Sequence, residues 1–154
     1  MHVFPKSLLA LAMAGSMWAG GLRLEVGNPS ANPEAAAKGA VLVVRITACQ
    51  SPEKTTITAT AEGIVDGSRR TVPLSLVSLS APGTFAVARQ WPAGGRWAIK
   101  MTATNPDYKN YATGVIVLTD KNSFDWASVK HVYHAPTDAE VDGVLGKESV
   151  ALAH

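Results

Sequence analysis

The chain has a single cysteine among its 154 residues, so no internal disulfide can brace it and the fold must stand on its apolar core. Aromatic residues make up only 6% and charged residues 17%. The 14 basic and 12 acidic residues are interleaved and leave a net charge of +2. That balance gives neither the basic stripe a nucleic acid requires nor the polybasic patch of a membrane-surface binder. No uncharged run reaches the roughly 20 apolar residues that cross a bilayer as a helix. The G-x-G-x-x-G and P-loop phosphate signatures are absent, and so is the G-x-S-x-G nucleophile elbow. Apolar side chains, by contrast, are plentiful at 47%, enough for one well-buried domain and too many for a disordered chain.

The amino terminus has the layout of an export signal. Lys6 precedes an uncharged stretch of about fifteen residues, 8–22, and Ala19-Gly20-Gly21 offers the small side chains that signal peptidase needs. Residues 1–21 are therefore read as a signal peptide; Ala12-Met13-Ala14 is a second possible cut that leaves a minimal apolar core. Neither site has an adjacent cysteine to carry a lipid. The expectation is a periplasmic or secreted protein with no integral membrane segment once the signal is removed. Cys49, alone, is expected to serve as a small apolar side chain near the end of a strand.

The body, 22–120, reads as strands. AVLVVRIT from Ala40 is rich in β-branched residues and too short for an ordinary helix. In TTITATAEG, Ile57, Ala59 and Ala61 alternate with polar neighbours, as in a half-buried strand. Asp66-Gly67 between two such runs predicts a tight hairpin turn. Pro73 places the returning strand at an edge, and the pattern shift at Leu76-Val77 predicts a bulge. RWAIKMTA sets Trp97, Ile99, Met101 and Ala103 on one face, with Trp97 expected in the core. Strands beginning near Arg23, Ala40, Thr56, Arg70, Thr84, Arg96 and Thr113, with no strong helix between them, predict an antiparallel sandwich of about seven strands. GNPSANPE is read as a turn-rich gap after the first of them. The remainder, 121–154, is expected to be a tail packed on the sandwich. Within it Thr137 and Glu140 have capping-box spacing, and Val141, Val144 and Leu145 share the face of one short helix before a frayed end.

Residues 80–118, with a Gly-rich turn before Gly95-x-Trp97-x-Ile99-x-Met101, resemble bacterial exported immunoglobulin-like β-sandwich domains of the FixH and carboxypeptidase-regulatory-like types. The resemblance implies an all-β, immunoglobulin-like sandwich. Domains of that kind mostly bind, brace or connect proteins and sugars, which is an analogy of fold.

Candidate chemistry is sparse. Asp120, Asp125, Asp138, Glu140 and Asp142 fit solvated loop acids and a helix start better than a catalytic pair, and no set of residues fills the roles of an active site. No enzymatic activity and no cofactor are expected. Copper would need soft sulfur and imidazole ligands, but Cys49 has no histidine close behind it; His131 and His134 would share a face only on a helix. Periplasmic metal handling through these two histidines is the weakest alternative. The aromatics outside the strand pattern, Trp91, Tyr108, Tyr111 and Trp126, are the best candidate ligand-binding residues, either as a platform for sugar rings or as a protein hot spot. The function implied is a non-catalytic, exported binding or protein-interaction module of the bacterial cell envelope. Its partner would be an envelope protein or, as an alternative, a glycan held by exposed aromatics.

Overall fold

A computed structural model describes residues 21–47 and 49–146. The expected signal peptide, apart from its last residue, and the expected frayed end lie outside the described residues. The strands are β1 (Arg23–Gly27), β2 (Ala40–Thr47), β3 (Thr56–Val65), β4 (Ser68–Leu74), β5 (Val77–Ser78), β6 (Thr84–Ala88), β7 (Arg96–Thr104), β8 (Ala112–Asp120), β9 (Ser123–Phe124) and β10 (Lys130–Val132). Among the described residues two α-helices accompany them, α1 (Pro33–Ala37) and α2 (Asp138–Gly146). One sheet has the order β1-β2-β6-β5 and the other β10-β8-β7-β3-β4, with β9 paired to the end of β8; every pairing is antiparallel. No helix among the described residues is long and apolar enough to cross a membrane.

The alternation seen in the sequence decides which side chains meet between the sheets. Leu24, Leu42, Val44 and Val87 of the first sheet face Ala61, Trp97, Ile99, Met101, Val115 and Val117 of the second in one buried cluster. Trp97 lies against Gly63, its cross-strand partner, where an added Cβ would come within 2.7 Å of the indole ring. Glycine is required there because the ring occupies the space a side chain would take. Asp66 and Gly67 both adopt positive φ, 51° and 75°, and close the β3–β4 hairpin as a two-residue primed turn. Pro73 lies on β4, an edge strand, where its missing N–H costs no ladder bond.

Three expectations are corrected. The pattern shift at Leu76-Val77 is not a bulge: the chain leaves the second sheet after β4 and joins the first as β5. A register shift instead lies on β2, between Ala40 and Leu42, where it pairs with β6. The turn-rich gap after β1 contains α1, whose start is fixed by Asn32 Oδ1 accepting from Ala35 N at 3.1 Å and by Pro33 in the first turn. Finally, residues after 120 are not only a tail, since β9 and β10 extend the second sheet.

Helix α2 packs on the outer face of that sheet. Val141, Val144 and Leu145 cover Ala98, Ile116 and Leu118. Its start is the capping box the sequence predicts: Glu140 N donates to Thr137 Oγ1 at 3.2 Å, and Thr137 N donates to Glu140 Oε2 at 2.9 Å. Beside the helix, Glu62 of β3 is 3% exposed and bonded to the Arg69 guanidinium and to Lys100 Nζ, the latter at 2.8 Å; Arg69 also bonds Asp142 of α2. Burial raises the Glu62 pKa, but the hydrogen bonds and charges of Lys100 and Arg69 outweigh it and hold the carboxyl below its ordinary value.

Candidate binding surface at the aromatic end

The strands deliver their loops to two ends. At one end the β1–β2 and β6–β7 connections and the chain beyond β8 converge; the β2–β3, β5–β6 and β7–β8 connections form the other. Strand β7 alone spans nine residues, so the two ends are about 30 Å apart.

The four candidate aromatics divide between these ends. Trp91, from the β6–β7 connection, meets Phe124 edge to face with ring centroids 6.3 Å apart, and Phe124 in turn stacks on Trp126 at 5.1 Å. Tyr108 and Tyr111 lie on the β7–β8 loop at the far end, half-buried. The structure therefore brings Trp91 and Trp126 together through a residue that was not singled out, and separates both from the tyrosines.

Phe124 occupies that position because β8 turns back on itself. Lys121 and Asn122 both adopt positive φ, 46° and 72°, and form the two-residue turn that returns the chain as β9. Asparagine tolerates this conformation better than most residues. Its Oδ1 accepts from Arg89 Nη1 at 2.6 Å and from Gly94 N at 3.2 Å, tying the turn to the β6–β7 connection. The Arg89 guanidinium lies 5.3 Å over the Trp91 ring. Trp91 is 3% exposed, so it supports the cluster without offering a face, and its buried indole N–H has no acceptor among the described residues. Phe124 and Trp126 are half-buried and present the accessible ring surface.

A cleft of about 400 Å³ opens against those two rings, lined by Asn28, Pro29, Val41, Asn122 and Ser123 as well. A ring face flanked by amide and hydroxyl groups can stack on one side of a ligand and hydrogen-bond its edge. The Asn28 carbonyl is occupied as acceptor for Ser30 N at 2.8 Å, which leaves its amide nitrogen as a donor.

The far end is held by polar bonds. Asn105, 3% exposed, donates from Nδ2 to Thr55 Oγ1 and Ser51 O, each at 3.0 Å, and to Cys49 Sγ at 3.4 Å. Its Oδ1 accepts from Asp107 N at 2.9 Å. Cys49 is a free thiol, half-buried against the core just past the end of β2, as the sequence suggested. Burial raises the Tyr108 phenol pKa above its ordinary value, and the neighbouring Cys49 thiol adds to the rise.

The two histidines do not converge. His131 is exposed on β10, whereas His134 Nε2 bonds Glu140 Oε2 at 3.0 Å within the cap of α2. That cap holds the Glu140 carboxyl down to about 2, first through the Thr137 backbone N–H and then through His134. Among the described residues no three His, Cys, Asp or Glu side chains gather as a metal site.

No family model matches this chain, no curated protein matches it, and no solved structure matches it.

Proposed function

We propose that the protein is an exported, non-catalytic binding module of the bacterial cell envelope, periplasmic or secreted, built on an immunoglobulin-like sandwich, and that its aromatic end takes a glycan. Strand order supports the fold reading: β1-β2-β6-β5 and β8-β7-β3-β4 follow the A-B-E-D and G-F-C-C′ sheets of immunoglobulin domains, with β10 as an addition beside the last strand. Gly95, Trp97, Ile99 and Met101, the residues behind the resemblance to FixH-type and carboxypeptidase-regulatory-like modules, lie on β7 and the turn before it. Trp97, Ile99 and Met101 serve the core and Gly95 the exposed turn before them, and so they speak for fold alone.

One observation carries the functional reading. The Phe124–Trp126 stack borders a cleft that also presents the amide groups of Asn28 and Asn122 and the hydroxyl of Ser123. Sugar rings offer a C–H face for stacking and a rim of hydroxyls for hydrogen bonds, and this surface is complementary to both. Tryptophan fluorescence tests the reading. Iodide should quench the wild type more than Trp126→Phe, because Trp91 and Trp97 are buried, and soluble glycans should protect that quenchable emission. Equal quenching of the two proteins, or no glycan that protects, would overturn the glycan reading and direct the search to envelope proteins.

A further inference from the structure

The hydrogen-bonding sense of the aromatic cleft narrows what it can hold. Asn28 Oδ1 accepts from Ser30 N, and Asn122 Oδ1 accepts from both Arg89 Nη1 and Gly94 N. Backbone N–H groups and guanidiniums only donate, so these contacts fix which way each amide is turned. Both oxygens are engaged within the protein, whereas the two Nδ2 groups have no partner among the described residues. The cleft therefore meets a ligand mainly as a hydrogen-bond donor. Resting on the glycan reading above, we infer that its ligand is an N-acetylhexosamine, whose ring stacks on Trp126 and Phe124 while its acetamido carbonyl accepts from Asn28 Nδ2.

Two features separate this ligand from a plain hexose. A hydroxyl both donates and accepts, so a donor opposite it uses half of what it offers; an amide carbonyl only accepts, and a donor matches it in full. Beside Asn28 the wall then turns apolar, with Pro29 and Val41. An acetamido methyl covers that surface, whereas the hydroxyl of a plain hexose in the same place would leave it wet. A third feature separates it from a uronate. A carboxylate would also accept from the two amides, but no cation is among the described lining of the cleft. The Arg89 guanidinium is turned instead onto the Trp91 ring and Asn122 Oδ1. An acetamido group asks for a donor without a charge, and the cleft supplies one.

Calorimetric titration of the full chain with three trisaccharides tests this. N-acetylated chitotriose and cellotriose share linkage and ring stereochemistry and differ only at the acetamido groups; the cellouronate trimer carries a carboxylate on each ring instead. N-acetylated chitotriose should bind about tenfold more tightly than either of the others, the gain of one good hydrogen bond with its apolar neighbour. Asn28→Asp keeps an oxygen to accept from Ser30 N but puts an acceptor where the donor was. It should bring N-acetylated chitotriose down to the affinity of cellotriose, whereas Trp126→Ala should weaken both alike. Equal wild-type affinity for these two, an Asn28→Asp variant that keeps the preference, or tightest binding of the cellouronate overturns the N-acetylhexosamine inference and leaves the glycan reading standing. Failure of all three to bind overturns both readings together.

Discussion

The two ends of the sandwich solve the same problem with different chemistry. Loops must be held in place, and the far end does so with one buried amide: Asn105 satisfies Thr55, Ser51 and Asp107 at once. The aromatic end uses ring on ring, with Arg89, Trp91, Phe124 and Trp126 in a row. Spending all its polar capacity inward leaves the Asn105 plug little to offer a ligand. A row of rings differs, because its first member can be wholly buried while its last still shows a face. Rigidity and exposure then coexist, and that combination favours binding by limiting the ordering cost of the contact residues.

Substitutions can break this contrast. The largest effect is expected for Trp91→Ala, which should lower unfolding free energy by about 3–5 kcal/mol in urea titrations, as large aromatic truncations in cores do. The same variant should free Trp126 and lower any glycan affinity, although Trp91 touches no ligand. If Trp91→Ala lost stability but kept full affinity, the ring row would be packing alone. Asn105→Ala should cost less, about 1–3 kcal/mol, from the buried partners it leaves unsatisfied. Glycan affinity should be untouched by that change; a parallel loss at the aromatic end would show that the ends are not independent.

Much of this was legible in the sequence, for reasons that differ by residue. Asp66-Gly67, the alternation around Trp97 and the Thr137/Glu140 box are local signals whose geometry is set within a few residues, and each holds in the structure. Helix α1 was hidden by its own cap: asparagine and proline read as turn formers, yet Asn32-Pro33-Glu34 is equally a helix start. Phe124 escaped notice because β9 has two residues and its turn, Lys121-Asn122, lacks the usual glycine. The split of the four aromatics, by contrast, could have been counted. Trp91 precedes β7 and Tyr108 follows it, and a single strand crossed from start to finish always ends on the opposite side of a sandwich.

The smallest effect lies at neither end. Glu140, held at about 2 against an ordinary 4.5, stabilises the folded chain above the higher value, and that contribution is lost as pH falls toward the lower one. The depressed Glu62 carboxyl acts in the same direction. Melting temperature should therefore decline as pH falls from 4.5 to about 2, and Glu140→Gln should start lower at neutral pH and decline less steeply. Identical slopes for the two proteins would remove the cap of α2 from the account of acid stability.

The placement of α2 also has a consequence in time. The apolar strip it covers, Ala98, Ile116 and Leu118, belongs to β7 and β8, whereas Val141, Val144 and Leu145 lie well beyond them along the chain. A chain whose sheets have formed before α2 docks carries an apolar outer face, a surface prone to sticking to other chains. The ionic clamp from Arg69 to Asp142 then does more than hold a helix. It keeps covered the surface by which partly folded copies would aggregate.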